Sequence, residues 1–405
     1  MQRLALLALL LILAPVAEAQ IDRNLVHNVF SVDDQFADWD AAYPEFVERI
    51  TIGESEGGFP LHGIVVTDES VPFNEPPHSA DTKWRVYLDG GHHGNEFLGV
   101  EITLYYMERL LDLASQGDPA TLDLLARTEI QMVPILNVEG NLRDTRVNLN
   151  GVDPNRNYDF GHTACAIPIG LTCGGPEPFS ESEVRANAEH VAAISPDLWL
   201  SMHTGIEVLY YPAGDPFPEG QAIDQPLFTA MEVPFEQVVG GRIDMAGGPA
   251  PAVGSAEDWG YAVHGITAFV YEVHNDQNLP VYGEPISDLL QQQIDGLAWL
   301  IEGTPKWGAW LTLDGRQLVN KGLGVATEIT FDGMQVPDLA PGGAWALPTT
   351  IDGEVTWSYD VLQVETSRVR SHTAVVANVA DAPGESSPGL AIPVLLVALI
   401  ALARR

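Results

Sequence analysis

The segment Gly90-Gly-His-His-Gly-Asn-Glu96 follows a short apolar run and carries side chains that can hold a metal ion. His93 and Glu96 are separated by two residues, so on a turn that enters a helix both side chains point the same way. Imidazole and carboxylate are good zinc ligands, and a catalytic zinc site uses three protein ligands and keeps one position open. By itself the His-x-x-Glu pair also fits a solvated polar turn.

A third ligand must come from elsewhere in the chain, and His203 is the candidate. It directly follows the apolar run Leu198–Met202, which predicts a buried strand. In an α/β sheet the carboxyl ends of the strands face the cleft in which ligands bind. His203 is therefore placed to complete a site with His93 and Glu96, although a single histidine at a strand end can also be a structural residue.

Further polar motifs occur in a fixed order around these residues. They are Tyr43-Pro44, Ile52-Gly-Glu-Ser55, Arg143-Asp-Thr-Arg146, Gly151-Val-Asp-Pro-Asn-Arg-Asn157, Gly175-Pro176, Phe179-Ser-Glu181, Asp258-Trp259 and Glu272. Together with the His-x-x-Glu pair and His203, this ordered set resembles the zinc metallocarboxypeptidases of the carboxypeptidase A/B type. The resemblance covers residues 25–304, and it is the combination that is specific, since each motif alone is weak.

The resemblance implies one Zn²⁺ per chain, bound by His93, Glu96 and His203. Zinc lowers the pKa of its bound water toward about 7. Glu272 matches the general base, which would take a proton from this water as it attacks the peptide carbonyl. Glu272 lies 14 residues after Asp258, as in the family.

Three further residues are implied to bind the charged parts of a substrate. Arg143 matches the arginine that stabilises negative charge on the carbonyl oxygen in the transition state. Asn155 and Arg156 match the pair that binds the free α-carboxylate of a peptide, for which the planar guanidinium group is well suited.

Glu257 directly precedes Asp258 and matches the floor of the family's specificity pocket. A carboxylate in a pocket is costly unless it is paired, so a basic C-terminal side chain would be its natural partner. The alternative is a solvent-facing Glu257 and a broad or apolar preference.

The chain also departs from the family pattern. The segment 241–254 contains no tyrosine that could close over a substrate, and Thr204 and Gly205 follow His203 where some relatives place one. His92 is not the member of its pair that matches a zinc ligand. These departures affect closure of the site and leave the zinc chemistry unchanged.

Residues 25–304 alternate strand-like and helix-like segments, which is typical of an α/β domain; the resemblance implies a mixed sheet with helices on both faces. Strands are expected at Trp84–Leu88, Ile130–Leu136, Leu198–Met202 and Ala268–Val273. Helices are expected at Glu96–Leu113, from a capping box at Ser180 to about Ala193, and from Pro285 to Gly303. Residues 305–382 alternate without a helical period and predict a small all-β, sandwich-like domain.

The N-terminal segment 1–19 predicts a secretory signal peptide. Arg3 supplies the positive charge, Leu4–Val16 is the apolar run, and Ala17-Glu-Ala19 is a small-x-small cleavage site. Export permits a disulfide, and Cys165 and Cys173 are close enough in sequence to form one.

The C-terminal segment 383–405 combines a polar linker rich in Pro, Gly and Ser, an apolar run at 390–403, and a terminal Arg404-Arg405. This pattern resembles the C-terminal sorting signals of surface proteins, which are cut and joined to a lipid. A simple tail anchor is the alternative. Either interpretation predicts an exported protein that is held at the outer face of the membrane by its tail or by a lipid.

The charge balance limits the partners. The 405 residues include 56 acidic and 19 basic side chains, for a net charge of -37. A chain this acidic is not expected to bind nucleic acid, and non-specific attraction to anionic lipid is excluded on the same ground.

These features predict an exported zinc carboxypeptidase that removes C-terminal residues from peptides. One alternative is a zinc amidase that acts on peptidoglycan peptides or small amides, although a small-acyl hydrolase has no need for the Asn155-Arg156 pair. The other alternative is an inactive, surface-anchored binding module. The presence of all three ligand candidates and of Glu272 disfavours it.

Overall fold

The computed structural model describes residues 20–22, 25–71, 83–165, 172–248, 253–275 and 291–376. The predicted signal peptide and the C-terminal segment 383–405 lie outside the described residues, as does the Pro285 start of the last predicted helix. Within the described part of the chain, no helix combines the length and the apolar character needed to cross a membrane.

The elements are numbered in chain order. The α-helices are α1 (Val29–Ala42), α2 (Phe97–Ser115), α3 (Pro119–Arg127), α4 (Val138–Arg143), α5 (Ser182–Ile194), α6 (Gln225–Val238), α7 (Ala256–His264) and α8 (Gln291–Glu302). The strands of the first region are β1 (Val47–Glu54), β2 (Pro60–Val66), β3 (Trp84–Gly90), β4 (Thr128–Val133), β5 (Leu198–His203), β6 (Glu207–Tyr211), β7 (Asp244–Gly247) and β8 (Thr267–Val273). The strands of the second region are β9 (Leu311–Asp314), β10 (Gln317–Asn320), β11 (Thr327–Phe331), β12 (Met334–Gln335), β13 (Ala344–Ala346), β14 (Gly353–Asp360) and β15 (Val369–Val376).

Strands β1 to β8 form one sheet in the order β1-β2-β4-β3-β5-β8-β6-β7. The central strands β4, β3, β5 and β8 pair in parallel, and antiparallel pairs flank them on both sides. On β8, Ala268 lies against Gly260 of α7, whereas the next residue, Phe269, contacts Phe228 of α6. Because successive side chains of a strand point to opposite faces, helices cover both faces. The predicted α/β class with a mixed sheet is confirmed.

The four strands predicted from apolar runs all form, and their ends have local causes. The run expected to continue to Leu136 stops at Val133, because Pro134 has no N–H to donate to the sheet. The backbone N–H of Leu136 donates instead to the carbonyl oxygen of Gly90 at the end of β3, 3.0 Å away.

The predicted capping box at Ser180 is wrong. Helix α5 begins at Ser182, and the Ser180 hydroxyl donates to the side chain of Glu181 rather than capping the helix. Glu183, the intended partner, is buried and accepts a hydrogen bond from Asn148 at 2.7 Å. The Glu183 carboxylate therefore binds Asn148 from another part of the chain, whereas the local pattern predicts that it caps α5.

The second region contains two antiparallel sheets around a separate apolar core. The sheets have the orders β13-β10-β9 and β12-β11-β14-β15, and their shared core includes Leu318, Phe331 and Trp357. The indole N–H of Trp357 donates to the carbonyl oxygen of Leu311, 3.4 Å away, which joins the two sheets. The observed strands lie within the segment 305–382 that the sequence predicts to be all-β.

A buried ion pair joins the second region to the first. Asp197, directly before β5, accepts from the guanidinium of Arg368 at 2.7 Å, pairs with that of Arg370 at 2.7 Å, and accepts from the backbone N–H of Arg85. The Arg370 guanidinium also lies 3.3 Å from the ring centroid of Trp84. Burial raises the pKa of Asp197, but the two guanidinium groups outweigh it and lower the pKa to about 2.

Removal of this carboxylate is expected to destabilise the protein. Asp197→Ala removes the carboxylate that binds both guanidinium groups, so the free energy of unfolding in urea should fall by about 3–5 kcal/mol, as when one partner of a buried ion pair is removed. In the unmodified protein this stabilisation is fully present above the ordinary aspartate pKa of about 4 and is lost as the pH falls toward 2. Asp123→Ala removes an exposed pair with Arg127 and should cost at most about 1 kcal/mol. Equal losses in the two variants would contradict the assignment.

Candidate metal centre and active site

The candidate site lies at the carboxyl ends of the central parallel strands. His93 and Glu96 follow β3, His203 is the last residue of β5, and Glu272 is its register partner on β8. The loop after β3 passes so close to α4 that a Cβ atom on Gly94 would lie 2.0 Å from the carbonyl carbon of Gly140. The chain therefore needs glycine there to bring His93 and Glu96 over the sheet.

The three predicted zinc ligands converge. Glu96 Oε1 lies 2.8 Å from His93 Nδ1, Glu96 Oε2 lies 2.9 Å from His203 Nδ1, and the two Nδ1 atoms are 3.2 Å apart. All three side chains are buried, and their donor atoms lie within 4.8 Å of one another. Two imidazoles and one carboxylate with no fourth protein donor are the ligand set of a catalytic zinc site, so the described residues fit a zinc ion.

The electrostatics of the cluster also favour a cation. Burial raises the pKa of Glu96, but the positive charge of His93 and the hydrogen bond with His203 outweigh it and hold the pKa well below its usual range. Burial lowers the pKa of His203, and a neutral imidazole is the form that binds metals. Burial also lowers the pKa of His93, yet the charges of Glu96 and Asp153 raise it to about 9.

Asp153 contacts the ring nitrogen of His93 that points away from the cluster. Its Oδ1 lies 3.0 Å from His93 Nε2, which leaves Nδ1 free to face the cluster. Its Oδ2 accepts two hydrogen bonds from Arg146, at 2.8 and 3.2 Å. A carboxylate on the outer nitrogen fixes the tautomer and the orientation of a ligand histidine. Asp153 lies within the Asp-Pro-Asn-Arg motif, and its position in the sequence alone predicts no role for it.

Arg146, rather than Arg143, lies beside the cluster. Arg143 was matched to the carbonyl-polarising role, but it is the exposed last residue of α4. Asp144 then adopts a left-handed conformation with φ of 53°, which turns the chain back toward the sheet. Three residues after Arg143, Arg146 Nη1 lies 3.1 Å from His93 Nδ1 and 3.4 Å from Glu96 Oε1.

Asn155 and Arg156 lie on the adjacent loop. Asn155 is buried, its Oδ1 accepts from the backbone N–H of Ala256 at 2.9 Å, and its Nδ2 lies 3.5 Å from His203 Nε2. This side chain therefore fixes the start of α7 next to the metal cluster. Arg156 is partly exposed, so its guanidinium is available to a ligand.

Glu257 is buried in α7 rather than exposed to solvent. Burial raises its pKa, and the positive charge of Arg156 opposes the shift. Among the described residues, no donor reaches Glu257 Oε2. The adjacent Asp258 has a pKa well above its ordinary value because of burial and the charge of Glu257. The positive charge of Arg156 thus acts on both of these neighbouring carboxyl groups.

The surroundings of Glu272 raise the pKa of its carboxyl group. It projects from the same face of the sheet as Ala268, four residues earlier on β8, and as its register partner His203. Burial and the charge of Glu96 raise its pKa to about 8, although His93 and Arg146 act in the opposite direction. Its Oε2 has no hydrogen-bond donor among the described residues. Glu272 is therefore within the electrostatic field of the cluster without being one of its converging donors.

His92 and the cysteines support the site from outside the cluster. His92 is fully buried and bonds to Tyr158 and Ser201, and it is not one of the three converging donors. The predicted disulfide between Cys165 and Cys173 is confirmed. The carbonyl oxygen of Cys173 accepts from the backbone N–H of Asp153 at 2.8 Å, so this loop supports the segment that orients His93.

The family model described as zinc carboxypeptidase, Peptidase M14, matches residues 34–293. The chain belongs to the zinc carboxypeptidase family. The matched residues contain the whole cluster and Glu272, and the family's metal agrees with the ligand set that the structure brings together.

Two animal carboxypeptidases resemble the chain over parts of their length. It is 31% identical to carboxypeptidase E of Caenorhabditis elegans over 144 residues, which cover 33% of this chain and 29% of that protein. It is 26% identical to carboxypeptidase A1 of Rattus norvegicus over 206 residues, which cover 46% of each. The chain thus spans less than half the length of these two relatives.

Solved structures show the same fold. Carboxypeptidase A from Helicoverpa armigera superposes with a TM-score of 0.60 at 17% identity, over 71% of this chain and 75% of that one. Bovine thrombin-activatable fibrinolysis inhibitor, in complex with a tick carboxypeptidase inhibitor, superposes with a TM-score of 0.58 at 21% identity. The superposition covers 70% of this chain and 99% of that one.

Metal content is expected to separate the ligands from the proposed base. His203→Ala removes one of three donors and should abolish stoichiometric zinc, whereas Glu272→Gln should retain it because Glu272 is not a converging donor. Zinc per chain is measured by mass spectrometry after gel filtration. His62→Ala, which changes a partly exposed histidine on β2, is the control. Full zinc content in the His203→Ala protein would exclude the cluster as the metal centre.

Proposed function

We propose that this protein is a zinc metallocarboxypeptidase that hydrolyses the peptide bond next to a free C-terminus. The observation that carries the proposal is the convergence of His93, Glu96 and His203 in a buried cluster within the field of Glu272. The adjacent Arg156 supplies a guanidinium for the terminal carboxylate. A carbonyl, an attacking water and a carboxylate can then be bound at one edge of the sheet.

The residues divide the chemistry among them. When bound, zinc supplies a Lewis acid that polarises the carbonyl and acidifies water. The Glu272 carboxylate takes the proton from the attacking water as the new carbon–oxygen bond forms. It then returns this proton to the amine nitrogen as the carbon–nitrogen bond breaks. A pKa raised toward 8 suits both steps, since the group must accept the proton and release it near neutral pH.

We assign the stabilisation of the negatively charged carbonyl oxygen to Arg146. Its guanidinium is partly exposed and lies 3.1 Å from His93 Nδ1, so a substrate carbonyl at the cluster would be within its reach. Asp153 holds this guanidinium through two of its nitrogens, which fixes its direction. Positive charge that is already oriented before the reaction stabilises a developing oxyanion without reorganisation.

The two arginines are expected to differ sharply in mutants. Arg146→Ala should lower kcat by about 10²–10³, the usual effect of removing one oxyanion donor, while most of the zinc stays bound. Arg143→Ala is the matched control from the same segment and should leave kcat within about two-fold. Both are measured with one blocked dipeptide, with zinc content determined in parallel. A larger loss in Arg143→Ala would return the role to Arg143.

The carboxylate-binding role of Arg156 is tested with the substrate's own C-terminus. Peptides with a free C-terminus should be cleaved, while the same peptides with an amidated C-terminus should be poor substrates for the unmodified enzyme. Arg156→Ala should reduce kcat/KM for the free peptides by an amount equivalent to about 2–5 kcal/mol and leave the amidated ones unchanged. A chelator should stop all cleavage. Equal cleavage of both forms would identify an amidase or endopeptidase.

A preference for basic C-terminal residues is supported by Glu257. Its carboxylate is buried next to the Asn155-Arg156 loop, and its Oε2 lacks a donor among the described residues. A cationic side chain would pair with it, and an unpaired buried carboxylate is costly. Arg-ending peptides should therefore be cleaved faster than otherwise identical Leu-ending ones.

The matched variant is Glu257→Gln, which keeps the shape of the side chain and removes the charge. It should reduce kcat/KM for the Arg-ending peptide by about 10-fold or more, equivalent to about 1.4 kcal/mol or more, and affect the Leu-ending peptide little, because an apolar side chain forms no ion pair with residue 257. Faster cleavage of the Leu-ending peptide by the unmodified enzyme would contradict the preference.

Export and attachment at the cell surface rest on the patterns in residues 1–19 and 383–405. Deletion of 383–405 is expected to move the protein from the cell envelope to the medium, as measured by fractionation. Retention in the cytoplasm of either form would contradict export.

A further inference from the structure

The two ligand histidines are supported differently. His93 has a carboxylate directly on its outer nitrogen, through Asp153. His203 has none, and its Nε2 lies 3.2 Å from Ser201 Oγ and 3.5 Å from Asn155 Nδ2. Because Asn155 Oδ1 already accepts from the backbone of Ala256, its amide nitrogen is a donor. Ser201 Oγ is thus the acceptor available to a hydrogen on His203 Nε2.

A metal ion on Nδ1 requires that hydrogen. The Nδ1 atom of His203 faces Glu96 and His93, so a neutral imidazole that binds through Nδ1 carries its proton on Nε2. Ser201 Oγ must then accept a hydrogen bond from His203 Nε2, and its own hydroxyl must donate a hydrogen bond to another group.

Asp89 is the group that can accept the hydroxyl hydrogen. Asp89 and Ser201 are register partners on the parallel strands β3 and β5, which places their side chains side by side on one face. Asp89 is fully buried, and its Oδ2 accepts from Asn187 at 2.7 Å and from the indole N–H of Trp199 at 3.0 Å. Its Oδ1 has no donor among the described residues. The Ser201 hydroxyl would satisfy this buried acceptor.

The surrounding hydrogen bonds agree with that direction. If Ser201 donates to Asp89, its oxygen can also accept from His92 Nδ1, 3.2 Å away. His92 Nε2 then accepts from the Tyr158 hydroxyl at 2.8 Å, and Tyr158 accepts from Asn187. In the opposite direction Ser201 would donate to His92. The Tyr158 oxygen would then have to accept hydrogen bonds from both His92 Nε2 and Asn187 Nδ2. Asp89 Oδ1 would stay without a donor among the described residues.

We propose that Ser201 and Asp89 are positioning residues for the metal centre: an Asp89–Ser201–His203 relay holds His203 in the tautomer that presents Nδ1 to zinc. The stacked ring of His92, with its centroid 5.4 Å from that of His203 and an interplanar angle of 19°, restricts rotation of the ligand ring. Asp153 bonds directly to the outer nitrogen of His93, whereas Asp89 acts on the outer nitrogen of His203 through the Ser201 hydroxyl. It rests on the metal centre of the proposed function and is independent of the substrate.

Zinc affinity is the first test. Ser201→Ala should weaken zinc binding about 10–100-fold, the usual effect of removing the partner of a ligand histidine, as measured by competition with a chelator at fixed pH. Ser201→Thr restores the hydroxyl and should recover most of the affinity. Thr103→Val is the matched control, because it removes a buried hydroxyl that donates to the carbonyl oxygen of Val100 in its own helix. An unchanged affinity in Ser201→Ala would overturn the proposal.

The relay also predicts coupling between its members. Asp89→Asn should weaken zinc binding, and the double variant with Ser201→Ala should bind zinc no more weakly than Ser201→Ala alone, because Asp89 acts on the metal only through Ser201. Additive losses would exclude a relay.

A third measurement needs no variant. In the zinc-bound, ¹⁵N-histidine-labelled protein, His203 should show a metal-bound Nδ1 and an Nε2 hydrogen that is protected from solvent exchange. Binding through Nε2, or rapid exchange of its hydrogen, would overturn the proposal even if the variants fail to fold. A protein that passes these tests and cleaves no peptide would contradict the proposed function and leave the relay intact.

Discussion

The site depends on one buried carboxylate, that of Glu96, which lies between two imidazoles. A buried charge is tolerated only when other groups compensate it, and here two Nδ1 atoms approach the same carboxylate, one from the loop after β3 and one from the end of β5. The negative charge of Glu96 and Asp153 raises the pKa of His93, which is the electrostatic signature of a place that attracts cations. Much of the surrounding structure keeps these three donors oriented toward one point.

The parallel strands provide the required precision. His203 on β5 and Glu272 on β8 are register partners. Ser201, two residues before His203 on β5, is the register partner of Asp89 on β3. The sheet therefore lines up three groups on neighbouring strands: the donor His203, the carboxylate of Glu272 and the Asp89–Ser201 pair. Further charges come from outside the sheet, since Arg146, Asp153 and Arg156 all lie in the segment between α4 and α5.

The second region is connected to this arrangement through Asp197. This residue directly precedes Leu198, the first residue of the strand that carries Ser201 and His203. Its ion pairs with Arg368 and Arg370 tie β15 to the start of β5. The small β region thus supports the end of the strand opposite to the metal, where it can stabilise the strand without covering the site.

The sequence by itself determined the parts of this protein that depend on local pattern or on an ordered set of motifs. Apolar runs located the four central strands, and the His-x-x-Glu pair with His203 identified the three donors that converge in the structure. The spacing of Cys165 and Cys173 identified the disulfide. Each of these signals lies in a short segment or in residue types that have few other uses.

Only the tertiary structure decided which of several similar residues reaches the site. Arg143 and Arg146 have the same chemistry, and a left-handed residue between them turns Arg146 toward the cluster. Glu183 matched a helix cap, yet Asn148 from a distant loop binds it. Asp153, Ser201 and Asp89 showed no local signal, because a carboxylate or hydroxyl acquires its role from the strand or loop that folds beside it. Contacts between segments far apart in the chain are absent from local pattern, and they fix these directions.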